Sequence, residues 1–165
     1  MQKQTEIIHK MINYYSGDPK RIGHFLKVHS FAKLIGEREE LDETTQLTLE
    51  YAAIVHDIGI KIAEQKYHST SGKYQEMEGA EPAGVLLRSL DIPENIIARV
   101  QFLVAHHHTY DAVDAIDYQI LLEADFLVNA YEDHLSKQSI LTAREKIFRT
   151  KSGIHILNTC FLPET

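Results

Sequence analysis

A chain of 165 residues is long enough for one domain that buries its own core. Its 44% hydrophobic and 25% charged residues are ordinary for a globular protein, and its single cysteine, Cys160, excludes an internal disulfide framework and any multi-cysteine zinc site. The formal charge of −7 argues against a nucleic-acid polymer or an anionic membrane as partner, and no apolar run reaches the length of a membrane span, so a reducing cytoplasm is the expected compartment. Ten histidines against 17 lysines and arginines is the unusual ratio.

In chain order, the apolar spacing is helical almost throughout. A first helix is predicted over residues 2–15, followed by a turn at residues 16–19 and a helix to Arg38. Asp42 is a natural N-cap for the third helix, which keeps Leu47, Tyr51, Ile54 and Ile58 on one face, with Gly59 as its C-terminal stop. Residues 60–80 are polar and read as a loop, suited to a lid. Helices follow at residues 82–90, from Pro93 through His107, and at residues 118–134. Thr142 with Glu145 fits a capping box for a helix to Thr150, and the tail beyond it is either a short helix or an extended segment. No alternating strand pattern appears, so the class is all-α.

Helical geometry sorts the histidines. His24 aligns with Val28, Phe31 and Ile35 and faces the core, where a histidine bonded to backbone is the commoner occupant. His56 and Asp57 close an apolar helix, a costly position for a carboxylate at the negative end of the helix dipole unless a cation sits nearby. Asp125 shares its face with Tyr118, Leu121, Leu122 and Val128, and no lysine or arginine lies between residues 116 and 135. It must be protonated, paired across helices or bound to a metal. His107 faces inward with Val100, Leu103 and Val104; His106 and His108 flank it, and a solvated helix cap suits His108. His9, His134 and His155 read as surface residues.

The ordered set of His24, His56-Asp57, His106-His107 and Asp125, carried by RIGHFLKV, AAIVHDIG, LVAHHH and EADFLVN, resembles the HD-domain superfamily of metal-dependent phosphohydrolases. Residues 66–79 look like a bacterial branch whose substrates are mostly unassigned. The resemblance implies one domain over residues 1–165: a bundle of about six to seven helices around a central metal, with a core at about 21–128 and a C-terminal helix and tail (139–165) packed on it. It places the metal ligands on His24, His56, Asp57 and Asp125, a mixed nitrogen and oxygen set that suits Mn²⁺, Fe²⁺, Mg²⁺, Ni²⁺ or Zn²⁺. Two-metal branches use further histidines; here Gln75-Glu76 stands where one is expected, leaving His106, His107, Glu76 and His68 as candidates for a second ion.

The implied chemistry is hydrolysis of a phosphomonoester or phosphodiester by metal-activated water, with Asp57, His106 and His107 as catalytic residues and Arg21 and Lys61 binding phosphate. A nucleotide or other small phosphate ester is the expected substrate, and a homo-oligomer is compatible with the apolar tail. The alternatives are a metal-containing nucleotide-binding or signalling module without turnover, and a di-iron oxygenase, which the departure at Gln75 disfavours.

Overall fold

Nine helices form among the described residues, 3–164, of the computed structural model: α1 (Lys3–Tyr14), α2 (Pro19–Arg38), α3 (Glu43–Val55), α4 (Ile60–Tyr67), α5 (Gly72–Arg88), α6 (Glu94–Val104), α7 (Ile116–Glu132), α8 (Lys137–Lys146) and α9 (Lys151–Phe161). The fold is all-helical, as expected, with more helices than the predicted six to seven. Residue 2, the predicted start of the first helix, lies outside the described residues.

α3 and α7 form the centre. Every residue from Thr48 to Val55 is buried, as are most residues of α7, so both helices are enclosed by others on all sides. α2 packs on both, α6 covers α3, and α5 links α4 to α6. The ends are fixed locally. Asp18 accepts from the Arg21 backbone N–H at 3.1 Å, and Asp42, the predicted cap, accepts from that of Thr45 at 3.1 Å.

The largest departure from expectation is residues 60–80, which form α4 and most of α5 rather than a loop. The buried stripe of α5 is Gln75, Gly79, Ala83 and Leu87. Its four-residue period is regular, but a stripe of small and polar residues carries little hydrophobic signal. Pro82, the expected helix start, lies inside α5, where it cannot donate to the carbonyl of Glu78. Gly59 does not end α3 in a left-handed conformation; its φ is −74° and it precedes α4. It is needed for proximity instead, because a Cβ there would lie 2.5 Å from the Gln75 carbonyl oxygen and 2.8 Å from the Gly79 nitrogen.

The C-terminal end is also corrected. Thr142 and Glu145 lie within α8, whose cap is Ser136, and Thr150 opens α9 instead of ending a helix, accepting from Gly153 N–H at 2.9 Å. The tail is therefore helical. Buried Glu123 of α7 ties it down by accepting the backbone N–H groups of Arg149 and Thr150 at 2.7 and 3.0 Å.

Candidate metal centre

Three central helices and the turn after α3 bring four side chains to one point. His24 comes from the second turn of α2, His56 and Asp57 from the end of α3 and the turn after it, and Asp125 from the middle of α7. His24 Nε2 lies 3.3 Å from His56 Nε2, 3.1 Å from Asp125 Oδ1 and 3.3 Å from Asp57 Oδ2. His56 Nε2 is 3.3 Å from Asp57 Oδ2 and 3.5 Å from Asp125 Oδ1. Atoms bound at about 2.1 Å to one metal stand roughly 3.0 Å apart at right angles and about 3.4 Å apart at tetrahedral angles. His24, His56 and Asp57 thus have the spacing of ligands around a single ion, and Asp125 stands at the same spacing from both imidazoles.

The ring orientations fit the same purpose. His24 Nδ1 is 2.9 Å from Glu132 Oε2, and His56 Nδ1 is 2.8 Å from the Ala53 carbonyl. Both partners are acceptors, so each Nδ1 carries the proton and a neutral ring presents its Nε2 lone pair inward. Two such lone pairs 3.3 Å apart repel unless a cation or a proton lies between them. His107 is held alike, with Nδ1 2.7 Å from the Val104 carbonyl; its fully buried Nε2 has no hydrogen-bond partner among the described residues and stands 3.4 Å from Asp57 Oδ1. An orphaned buried nitrogen beside a carboxylate is costly, and a metal would satisfy it.

Protons can do the same balancing. Burial opposes a charge on His56, but Asp57 and Asp125 outweigh it and hold its pKa well above the ordinary value; burial is likewise overcome at His24, chiefly by its hydrogen bond to Asp125. Burial pushes the Asp57 and Asp125 carboxyls up, yet the imidazoles beside them bring both below the carboxylate range. Burial and the neighbouring His107 depress the pKa of His108 to about 4.

The centre opens into a cavity of about 360 Å³ whose lining includes Lys20, Arg21, Thr70, Gln75, His108, Asn129 and Asp133 beside His24, Asp57 and Asp125. The HD-domain family model matches residues 21–146. The chain belongs to the HD-domain family. HD domains bind divalent metal ions, and the clusters of this one, His24-His56-Asp57 and Asp57-His107-His108, have donor atoms within 4.8 Å of one another. The crystal structure of a predicted HD superfamily hydrolase from an uncultured Thermotogales bacterium is similar to the chain, with a TM-score of 0.65 at 22% identity over 95% of this chain and 82% of that one. At that identity the likeness speaks for the fold. No curated protein sequence matches the chain.

Within the HD domain, several residues named from the sequence lie elsewhere. His106 points away from the centre: its Nδ1 is 2.7 Å from the Phe102 carbonyl and its ring stacks on Phe102. The inward pair is His107 and His108. The chain leaves α-geometry after Val104, with His106 N–H bonded to Leu103 three residues back, so the rotation of 100° per residue no longer applies there. Lys61 donates to the Tyr14 carbonyl at 3.2 Å and lies over the Tyr14 ring, lining a separate cavity. Glu76 accepts from His108 N–H and the Thr109 hydroxyl, both at 2.9 Å, and His68 is an exposed left-handed residue at the end of α4. Among the described residues, neither joins a cluster of metal-ligand type. Arg21 does line the main cavity, oriented by Glu64 at 3.0 Å and by Asp18 at 3.4 Å. Sequence reasoning missed His108, Gln75, Lys20 and Glu132. Glu132 had a readable signal, since it lies seven residues, two helical turns, after Asp125.

Proposed function

We propose that this HD domain is a metal-dependent phosphohydrolase that cleaves a small phosphate ester, with a nucleotide as the preferred class. The observation that carries the reading is the cluster of His24, His56 and Asp57 at ligand spacing, with Asp125 against both imidazoles, where His24, Asp57 and Asp125 line an open cavity. A bound divalent ion would supply a Lewis acid that polarises a phosphoryl oxygen and lowers the pKa of a coordinated water.

The chain's own residues do the rest. Arg21, held by Glu64 and Asp18, and Lys20 present positive charge on one wall, where they bind and orient a phosphate. Asp57 turns Oδ2 toward His24 and His56 and Oδ1 toward His107, a posture that holds the ligand set and accepts a hydrogen bond from the attacking water. Asn129 and Asp133, on the same lining, are polar contacts for the alcohol side of the ester. The cavity volume lies within the range of small-molecule sites.

The test is turnover of p-nitrophenyl phosphate, bis-p-nitrophenyl phosphate and a nucleotide panel with Mn²⁺, Fe²⁺, Mg²⁺, Ni²⁺ and Zn²⁺. Release of phosphate or p-nitrophenol that chelation stops, and that Asp57→Asn abolishes, is the expected result. Protein that holds metal stoichiometrically yet turns over none of these refutes the hydrolase and leaves a binding module.

A further inference from the structure

We propose that Gln75 is a positioning residue that fixes the tautomer of His108 and so bares its Nδ1 as a ligand, beside Asp57 and His107, for the second metal position that two-metal branches of the family hold. The inference rests on the metal-centre reading above and concerns only how this chain completes the second position.

A chain of donors and acceptors sets the tautomer of His108. The Thr70 carbonyl can only accept, so the Gln75 nitrogen 2.6 Å away must donate to it. That fixes the amide orientation and turns Gln75 Oε1 toward His108 Nε2, at 2.8 Å. An amide oxygen can only accept, so Nε2 of His108 carries a proton. Its remaining nitrogen, Nδ1, holds the lone pair. His107 is the reverse: its Nδ1 donates to the Val104 carbonyl and its buried Nε2 has no partner among the described residues.

The two rings are adjacent in sequence, with centroids 4.1 Å apart, and present different nitrogens. A donor atom of each lies within 4.8 Å of an Asp57 oxygen. Asp57 has a carboxylate oxygen for each position, Oδ2 facing His24 and His56 and Oδ1 facing His107. Gly72 seats the His108 ring closely, since a Cβ there would fall 2.7 Å from the ring's Cγ. Gln75 thus compensates for the histidine that the resemblance expects near it. It does not ligate; it sets the tautomer of a histidine that does.

The experiment combines Zn²⁺ calorimetry with ¹⁵N histidine NMR on the full chain. Metal-free wild type should show His108 protonated at Nε2 with Nδ1 bare, and His107 with the opposite pattern. Wild type should bind two Zn²⁺ tightly, and His108→Ala only one. Gln75→Leu should weaken the second ion by roughly 10–100-fold while leaving the first intact, the usual cost of losing a residue that orients a ligand. Gln75→Leu should also shift the His108 signals toward the other tautomer, which a merely structural role would not do. A wild-type His108 protonated at Nδ1 overturns the proposal, and this reading does not depend on any variant folding. Two tight ions in His108→Ala, or one in both proteins, also overturns it while the first centre stands. Wild type that binds no Zn²⁺ overturns the metal-centre reading as well.

Discussion

Replacing Glu132 with alanine tests whether the centre is built by oriented rings. Glu132 Oε2 is the acceptor for His24 Nδ1 at 2.9 Å, and the same carboxylate meets Lys27 Nζ at 2.7 Å through Oε1. Without it, the His24 N–H has no partner and the ring is free to turn its Nε2 away from His56 and Asp125. Loss of such an orienting contact typically weakens metal binding by roughly 10–100-fold, or about 1.4–2.7 kcal/mol. Glu132→Gln, which keeps an acceptor but loses the charge, should fall between Glu132→Ala and wild type. Lys27→Met controls for the ion pair, which sits near solvent with the lysine side chain 47% exposed; such a pair is worth at most about 1 kcal/mol and should matter less. The assay is competition for Zn²⁺ against a chromophoric chelator at constant pH. Wild-type affinity in Glu132→Ala, or an equal loss in Lys27→Met, would refute the orientation argument.

Three further outcomes follow from the geometry. His24 and His56 have pKa values raised above 6.5 in the fold, so their contribution to stability is complete below about pH 6.5 and is lost as pH rises through the raised values; Asp57 and Asp125, lowered from 3.8, contribute above that pH and lose their effect only in stronger acid. The melting temperature of chelator-treated protein should therefore decline above about pH 6.5, whereas Zn²⁺-loaded protein should resist the decline; a rise from pH 6 to 9 without metal would contradict the charge balance. Gly59→Ala should destabilise the fold by about 1–3 kcal/mol in urea unfolding, because the new methyl meets the backbone of α5. His106→Ala should leave Zn²⁺ affinity within a factor of about two of wild type while His107→Ala lowers it by at least tenfold, as expected if His107 presents a nitrogen to the centre and His106 does not.

The central helices were legible because their chemistry conflicts with their surroundings. Asp125, amid apolar residues and without a local cation, required a partner from another helix, and the structure supplies His24 and His56. The Asp42 cap and the facing of His24 follow from local rules that tertiary packing does not override. What could not be read lies where those rules lapse. α5 packs through glutamine, glycine and alanine, so close approach replaces hydrophobicity as its signature. Beyond Val104 the helical rotation ends, which turned His106 outward and His108 inward. The role of Gln75 depends on its distance from Thr70 and His108 across the fold, which no local pattern encodes.

Anomalous diffraction from crystals of the chain grown with Mn²⁺ tests the central claim most directly. A peak is expected about 2.0–2.3 Å from His24 Nε2, His56 Nε2 and an oxygen each of Asp57 and Asp125. A fully Mn²⁺-exposed crystal with no peak there, or with its strongest peak away from these four residues, would contradict it.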